Sequence, residues 1–320
     1  MLQSPDLSNL ELHVNDGPLA PSDVTLLRQS RAHEPLEELR HSYHSEGYLF
    51  IKGLLPQADV LKAWEQYFSM IEPSGILKPG SNAVDGIFDP EKDKADFPGI
   101  GANAASASSR PGGGTNSASF VDLALSAHYA PWWYADGLCK HPTLPAFVKQ
   151  LTGWGEDTLP LQRTLLRSNI PGNRANGVHY DQIFLRHGEP TAVTTWVPIE
   201  DVSLEGGGLI YLEFGDKLGQ QFEDDFANEA AVAGLTEEEC KNAFNRNMMT
   251  TAFLADGPAG LARQNNSLWL LTAYEAGDVV FHKLHMIHAS TINQVPENCI
   301  RIGTDLRFVN APWPYDSVSA

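Results

Sequence analysis

Seven short β-rich segments in the second half of the chain limit its fold more than any other feature of the sequence. Each holds β-branched and aromatic residues and is bounded by turn-forming residues such as Gly, Pro, Asn and Asp. Such a series predicts a sandwich or barrel of antiparallel strands. The segments are TLLRSNI, GVHYDQIFLR, AVTTWVPI, GLIYLEF, SLWLLTAY, DVVFHKL and RIGTDLRFV.

One insertion, residues 219–264, interrupts this series. Within it, LTEEECKNAFNRN has the pattern of a helix, with Thr236 as the capping residue and Glu239 three residues later. We expect this helical insertion to lie over one mouth of the barrel.

The chain before these segments is predicted to be largely helical. Residues 34–45 carry apolar and charged residues at helical spacing, Gly47 ends that helix, and residues 48–51 form a short strand. A second helix should begin at Pro56 and end at about Ile71. Its inward-facing side chains are expected to be Val60, Leu61, Trp64, Phe68 and Ile71.

Composition sets the expected boundaries. Residues 1–33, polar and interrupted by prolines, are predicted to be an N-terminal arm, and residues 311–320 a C-terminal tail, around a single domain at 34–310. Residues 97–120 are so rich in Gly, Ala and Ser that they bury too little side chain to offset the entropy of being ordered. This loop is either a plain surface loop or a lid over a substrate, and both interpretations stay open.

Charge and cysteine content exclude several classes of function. Lys and Arg total 22 against 40 Asp and Glu, a formal net charge of −18, which disfavours nucleic acid and anionic membranes as partners. Cys139, Cys240 and Cys299 are scattered, so they encode neither a disulfide framework nor a cysteine metal cluster. With no apolar leader or spanning segment evident, we expect a cytoplasmic protein that acts on a small molecule. The arm could reach a second subunit, which leaves a homo-oligomer open.

A histidine and a carboxylate close together in one β-rich segment suggest a metal site. If His179 and Asp181 belong to a strand, they point to the same face and can bind one ion. The best third ligand is His288, which is followed by small residues, whereas His282 and His285 can be structural. Two His and one carboxylate leave about three positions on the metal open, the arrangement preferred by non-haem Fe(II) oxygenases.

Arg301, on the last β-rich segment, is the candidate for holding a co-substrate. A guanidinium recognises a carboxylate through two parallel hydrogen bonds. An arginine beside the metal would therefore suit a dicarboxylate whose other end binds the iron. For a lone arginine on a strand the ordinary alternative is a surface ion pair.

These motifs, GVHYD, then TTWVPIEDVSLEGGGLIYL, then GDVVFHKLHMIHAS and RIGTDLRF, resemble the phytanoyl-CoA dioxygenase family of iron(II)- and 2-oxoglutarate-dependent oxygenases. The resemblance extends over about residues 34–310 and implies a mainly β protein with flanking helices, built on a double-stranded β-helix of the jelly-roll or cupin type. It implies Fe(II), 2-oxoglutarate and dioxygen as cofactor and co-substrates, with ascorbate as the reductant in vitro. By the same resemblance, His179, Asp181 and His288 bind iron, and five residues contact the co-substrate or line its pocket: Arg301, Ser290, Trp196, Thr195 and Asn176.

The sequence departs from the family pattern at the middle of the metal motif. Many members have Gln where this chain has Tyr180, and the amide of Asn176 could replace it. Arg167 either points to the site or forms a structural ion pair. Because Asp181 is present, the related halogenase chemistry, which needs an open position in place of the carboxylate, is disfavoured.

The substrate is less constrained than the chemistry. The acidic balance and the lack of a basic run argue against a CoA thioester, and we expect a small, largely apolar or aromatic molecule. The sequence resembles the branch of the family that tailors microbial natural products, which implies a polyketide, meroterpenoid or alkaloid in secondary-metabolite biosynthesis. By the resemblance, hydroxylation is the default reaction. Desaturation, epoxidation and ring rearrangement need only a different fate of the radical that hydrogen abstraction leaves on the substrate. Aromatic residues at 129–134 could wall the pocket or simply pack in the core. The main alternative function is a redox-inert, metal-binding isomerase or binding protein of the cupin type.

Overall fold

The computed structural model describes residues 7, 11–97, 118–185, 188–236, 239, 254–255 and 257–315. Six α-helices within these residues are α1 Leu36–Glu46, α2 Gln57–Ile71, α3 Ala118–His128, α4 Thr143–Thr152, α5 Gly215–Val232 and α6 Pro258–Gln264. The strands are β1 Leu12–Val14, β2 Gly17–Leu19, β3 Val24–Leu26, β4 Gln29–Ser30, β5 Tyr48–Ile51, β6 Thr158–Pro160, β7 Leu165–Asn169, β8 Val193–Pro198, β9 Leu209–Leu212, β10 Trp269–Leu271, β11 Val279–Lys283, β12 His288–Ser290 and β13 Arg301–Asn310.

Two facing sheets form the predicted double-stranded β-helix. The large sheet has the order β4-β5-β11-β8-β13-β6, with β7 also paired to β13, and the small sheet has the order β12-β9-β10-β3. Most pairs are antiparallel, and the exceptions are β10 with β3 and β4 with β5. Six of the seven β-rich segments contribute strands; the seventh, around His179, makes only isolated bridges and a 3₁₀ turn at Asp181–Phe184.

Alternation of side chains along the strands separates the interior of the barrel from two outer layers. The interior contains a cluster of aromatic and aliphatic residues, among them Tyr48, Trp196 and Tyr211. The opposite face of the large sheet packs against α1 to α4 through the largest apolar cluster. The outer face of the small sheet carries a separate cluster that includes β1, β2 and α6.

The N-terminal region differs from the expected arm. Residues 12–30 form four short strands, of which β3 joins the small sheet beside β10 and β4 joins the large sheet beside β5. Leu12, Val14 and Leu19 of the β1–β2 hairpin are buried against the small sheet. Composition missed these strands because each has only two or three residues and its partner is distant in the sequence.

The two predicted N-terminal helices form close to their expected limits. Gly47 ends α1 with φ = 78°, a left-handed conformation that glycine adopts without strain. In α2, Val60, Phe68 and Ile71 face inward as expected. Leu61 does not: it is 38% exposed, and Tyr67 takes an inward position instead.

Other expectations fall partly outside the described residues. Most of the Gly/Ala/Ser loop at 97–120 lies outside them, and α3 begins within its last residues. The insertion at 219–264 begins inside α5 and ends with α6. Thr236 and Glu239 make the reciprocal hydrogen bonds of a capping box, but the rest of that predicted helix lies outside the described part of the chain. None of the described helices is long and apolar enough to cross a membrane.

Candidate metal centre

Three buried side chains meet inside the barrel near one end of the small sheet. One nitrogen from each of His179 and His288 and one oxygen from Asp181 lie within 4.8 Å of one another. The backbones of the two histidines exchange hydrogen bonds of 3.0 and 2.9 Å across an antiparallel bridge. His179 and Asp181 are not on a regular strand as expected, because the chain turns at Asp181, yet both side chains reach the same point.

Backbone carbonyls orient both imidazoles. Nδ1 of His179 donates to the Gly177 carbonyl and Nδ1 of His288 donates to the Met286 carbonyl, each at 2.8 Å. This leaves Nε2 of each ring as the ligand atom. Burial lowers the pKa of His179 to about 4 and holds the pKa of His288 well below its usual range. Both rings are therefore neutral at pH 7, the form that binds a metal ion.

Three donors surround the Asp181 carboxylate. Oδ2 accepts hydrogen bonds from the Thr194 hydroxyl at 2.5 Å and from Nε2 of His282 at 3.3 Å, and Oδ1 accepts one from Arg307 at 3.1 Å. Burial by itself raises the pKa of Asp181, but Arg307 and the His282 hydrogen bond outweigh it and keep the pKa well below the usual value. The carboxylate is therefore held ionised and fixed in orientation.

Arg307 and Thr194 were missed by the sequence reasoning. On β13, Arg307 pairs with Thr194 of β8, and His282 of β11 pairs with Thr194 on the other side. These three side chains lie on the inner faces of adjacent strands. The signal was present in the sequence, because Arg301, Asp305 and Arg307 all fall on one face of an alternating strand.

Arg301 lies at the start of the same inner face and is 5% exposed. A Cβ on Gly303 would lie 2.9 Å from Nε1 of Trp196 and 3.1 Å from Nη1 of Arg301, so the glycine leaves space between these two donors. Nε of Arg301 is buried without a hydrogen-bond partner, and among the described residues no carboxylate lies within ion-pair distance of the guanidinium. Burial lowers the pKa of Arg301 to about 10, which leaves it charged at pH 7.

Comparison with known proteins identifies the family. A family model described as phytanoyl-CoA dioxygenase (PhyH) matches residues 43–297. The chain belongs to the phytanoyl-CoA dioxygenase family. The protein is thus an enzyme of the non-haem class that depends on iron(II) and 2-oxoglutarate, which confirms the expected activity class and cofactors.

Solved structures of similar fold include two proteins from nogalamycin biosynthesis. The non-heme alpha-ketoglutarate-dependent carbocyclase SnoK from nogalamycin biosynthesis is 16% identical, with a TM-score of 0.52 over 89% of this chain and 88% of its own. The epimerase SnoN, in complex with Fe3+, alpha ketoglutarate and nogalamycin RO, is 16% identical, with a TM-score of 0.49 over 89% and 87%. EvdO2 from Micromonospora carbonacea var. aurantiaca is 12% identical, with a TM-score of 0.48 over 91% and 95%. The chain matches no curated protein.

The donor set fits the iron of the phytanoyl-CoA dioxygenase family. Two neutral imidazoles and one ionised carboxylate form the two-histidine, one-carboxylate set that leaves positions open for other ligands. Buried donors without partners fit the second carboxylate of 2-oxoglutarate, since Nε of Arg301 and the hydroxyl of Tyr211 have no hydrogen bond. The Tyr211 ring centre lies 5.9 Å from that of His288, on the metal side of the interior.

Ser290 and Asn176 lie beside the metal ligands. The Asn176 N–H donates to the Ser290 hydroxyl at 3.0 Å, and the Ser290 N–H donates to the Asn176 carbonyl at 3.1 Å. Nδ2 of Asn176 is 3.5 Å from Nε2 of His179, and its Oδ1 accepts a long hydrogen bond of 3.4 Å from Arg167. Arg167 also faces Asp305 at 3.6 Å, so it points into the site and takes part in an internal ion pair.

The structure places Thr195 away from the site. Thr195 pairs with Phe281 and Leu306, both members of the cluster between the large sheet and the helices. Its neighbours Thr194 and Trp196 face the interior, because adjacent residues in a strand point to opposite faces. A contact between Thr195 and the co-substrate is therefore not compatible with this arrangement.

Tyr180, the departure from the family's metal motif, also points away. Its ring packs in the cluster on the outer face of the small sheet, with the His285 ring 6.0 Å away. It contributes packing rather than a replacement for the family's glutamine.

The aromatic residues at 129–134 divide into two groups. Trp133 and Tyr134 are buried, and the Tyr134 hydroxyl bonds to Thr304 at 2.7 Å on the outer face of β13. Tyr129 and Trp132 are 74% and 65% exposed. The buried pair belongs to the helix-packed core, whereas the exposed pair is free to contact a partner or ligand.

Proposed function

We propose that this protein is an Fe(II)/2-oxoglutarate-dependent dioxygenase that oxidises a small, largely apolar or aromatic natural product, by hydroxylation unless the substrate directs another outcome. His179, Asp181 and His288 hold the iron, and Arg301 holds the distal carboxylate of 2-oxoglutarate with Ser290 and Trp196 nearby. The observation that carries the proposal is a buried Arg301, whose Nε has no hydrogen-bond partner, in the same interior as a two-histidine, one-carboxylate cluster.

The residues divide the work of the reaction between them. Bound iron, together with 2-oxoglutarate and dioxygen, supplies the oxidising power that breaks a C–H bond. The two neutral histidines and the fixed Asp181 would hold the iron, and three protein ligands would leave coordination positions for the co-substrate and dioxygen. Arg301 and Trp196 donate to the far end of the co-substrate and fix its orientation. Thr194, His282 and Arg307 prevent Asp181 from rotating or taking up a proton.

The substrate class rests on charge and on exposed aromatic surface. A net charge of −18 with no basic run gives little attraction for the phosphates of a CoA thioester. Trp132 and Tyr129 are exposed, and the Phe184 ring, whose centre lies 6.0 Å from that of His179, provides an aromatic surface beside the proposed metal ligands. The fold neighbour SnoK acts in nogalamycin biosynthesis, which adds support for a polyketide, meroterpenoid or alkaloid.

The redox-inert alternative needs the metal cluster but not the arginine. A metal-binding isomerase or binding protein gives no reason to bury the Arg301 guanidinium with Nε lacking a hydrogen-bond partner, because a buried donor without an acceptor is costly. We therefore favour the dioxygenase.

The decisive experiment measures succinate release by the purified protein with Fe(II), ascorbate, dioxygen and 2-oxoglutarate, alone and with a panel of small polyketides and alkaloids. We expect slow succinate formation without substrate and faster formation with at least one panel compound, whose structure then defines the class. The matched control is Arg301→Ala, which should lose affinity for 2-oxoglutarate. Iron binding without any 2-oxoglutarate binding by the wild type contradicts the dioxygenase and favours the redox-inert protein.

A further inference from the structure

The β1–β2 hairpin lies on the outer face of the small sheet. Its strands are joined by the two-residue turn Asn15–Asp16, followed by Gly17 with φ = 122°. Leu12, Val14 and Leu19 anchor the hairpin through buried apolar contacts. Both turn residues point their side chains at other segments of the chain, so the turn does more than connect two strands.

Asn15 binds the backbone of Ala175, 160 residues away, through both ends of its amide. Nδ2 of Asn15 donates to the Ala175 carbonyl, and the Ala175 N–H donates to Oδ1 of Asn15, each at 3.0 Å. The pair reproduces the two hydrogen bonds that a neighbouring strand would provide. It fixes one residue of the segment that leads into the metal motif.

Ala175 directly precedes Asn176, which contacts both Ser290 and the side chain of His179. The backbone of Asn176 exchanges two hydrogen bonds with Ser290, and its side chain lies 3.5 Å from Nε2 of His179. Movement of Ala175 therefore changes the position of a residue in contact with the ligand atom of His179.

Two further contacts attach the same hairpin to α6 and to the segment that follows His288. Oδ1 and Oδ2 of Asp16 accept from the N–H groups of Ala259 and Gly260 at 3.2 and 2.8 Å, at the start of α6. The His13 carbonyl accepts from Ile292 N–H at 2.8 Å, two residues after Ser290. The hairpin thus connects the segments before His179 and after His288.

We propose that Asn15 is a positioning residue for the metal centre, which acts through Ala175 and Asn176 to hold His179 and the adjoining co-substrate space in the geometry that binds iron and 2-oxoglutarate. The proposal rests on the site assigned above. Without the Asn15 amide, two backbone groups of Ala175 lose their partners, and the segment 172–178 gains freedom that metal and co-substrate binding must then remove.

The test compares Asn15→Ala with Val60→Ala, a cavity-forming change in buried α2 that is remote from the metal and lowers global stability. Thermal unfolding is measured first, followed by iron(II) binding and anaerobic titration with 2-oxoglutarate. Asn15→Ala should raise the dissociation constants for iron(II) and 2-oxoglutarate by about tenfold, because it removes two hydrogen bonds. Val60→Ala should lower the melting temperature and leave both constants within about twofold.

Asn15→Asp gives a second check and serves if the alanine variant does not fold. It keeps an acceptor for the Ala175 N–H but places a carboxylate oxygen against the Ala175 carbonyl, so its affinities should also be weaker than those of the wild type. Unchanged affinities in both Asn15 variants, or equal weakening in Val60→Ala, overturn the proposal.

Amide hydrogen exchange of the metal-free protein separates this proposal from the assigned chemistry. Protection of residues 174–179 should fall in Asn15→Ala and not in Val60→Ala. If the wild type binds neither iron nor 2-oxoglutarate, the proposed function fails, and positioning of the segment by Asn15 is judged by exchange alone. Unchanged protection in Asn15→Ala then overturns it.

Discussion

The two faces of β13 are equally buried but face different environments. Arg301, Gly303, Asp305 and Arg307 face the barrel interior, whereas the alternate residues Ile302, Leu306 and Phe308 belong to the core under the helices. Burial alone therefore does not distinguish a functional residue from a structural one in this protein. The distinction lies in the partner: the outer side chains have apolar neighbours, whereas Arg301 has an unpaired donor and Arg307 contacts a metal ligand.

The largest loss of activity is expected when one of the three proposed metal ligands is removed. His288→Ala should abolish succinate formation, because one of three protein ligands is lost. The fold should be retained at a lower melting temperature, because the buried His288 ring packs against His179, His282 and Tyr211 and its removal leaves a cavity. Succinate assays with thermal unfolding measure both effects; turnover at the wild-type rate contradicts the assignment of His288.

Arg301→Ala should give the next largest effect. The loss of a charge-assisted contact costs about 1.5–3 kcal/mol, so the KM for 2-oxoglutarate should rise by about tenfold to a hundredfold. The KM for the organic substrate should change little. Steady-state kinetics with 2-oxoglutarate and the organic substrate varied in turn measure the two KM values. An equal rise in the two KM values contradicts the proposed contact between Arg301 and 2-oxoglutarate.

Gly303→Ala offers a milder change on the same face. The added Cβ would lie 2.9 Å from Nε1 of Trp196 and 3.1 Å from Nη1 of Arg301, and it would displace one of these donors. We expect the 2-oxoglutarate KM to rise by several-fold, about 1 kcal/mol. The matched control is Ile302→Val on the outer face, which should leave this KM unchanged.

Leu306→Ala should have the smallest effect on catalysis and a large effect on stability. Removing this buried side chain from the helix-packed core should lower the free energy of unfolding by about 2–5 kcal/mol. The 2-oxoglutarate KM should stay within about twofold of the wild type. Denaturant unfolding and steady-state kinetics provide the two measurements, and a stable variant with weak 2-oxoglutarate binding would remove the contrast between the faces.

The proposed metal ligands could be predicted from the sequence, because the His-x-Asp pattern and the distal His288 resemble a known family. The residues that hydrogen-bond to those ligands were harder to predict. Thr195 was selected where Thr194 faces the interior, and an offset of one residue in a strand reverses the face. Arg307 was missed because Arg301 alone was considered on this segment, although alternation along β13 places both arginines on the same face.

The fold likewise contains elements that could be predicted from the sequence and others that could not. Long patterns such as α2 and the β-rich segments were predictable from periodicity, although Leu61 and Tyr67 exchanged roles. Strands β3 and β4 were not, because two or three residues carry too weak a pattern and their pairing depends on distant partners. The role of Asn15 likewise depends on a contact with Ala175 that no local pattern reveals.

The pairing of β3 with β10 has a consequence for biosynthesis. Val24 pairs with Trp269, about 245 residues later in the chain. At translation rates of 5–20 residues per second, the first strand waits roughly 10–50 s for its partner to be synthesised. During that interval its backbone edge is exposed on the ribosome, where chaperones and other nascent chains compete for it. The small sheet therefore closes late, after most of the polypeptide has been translated.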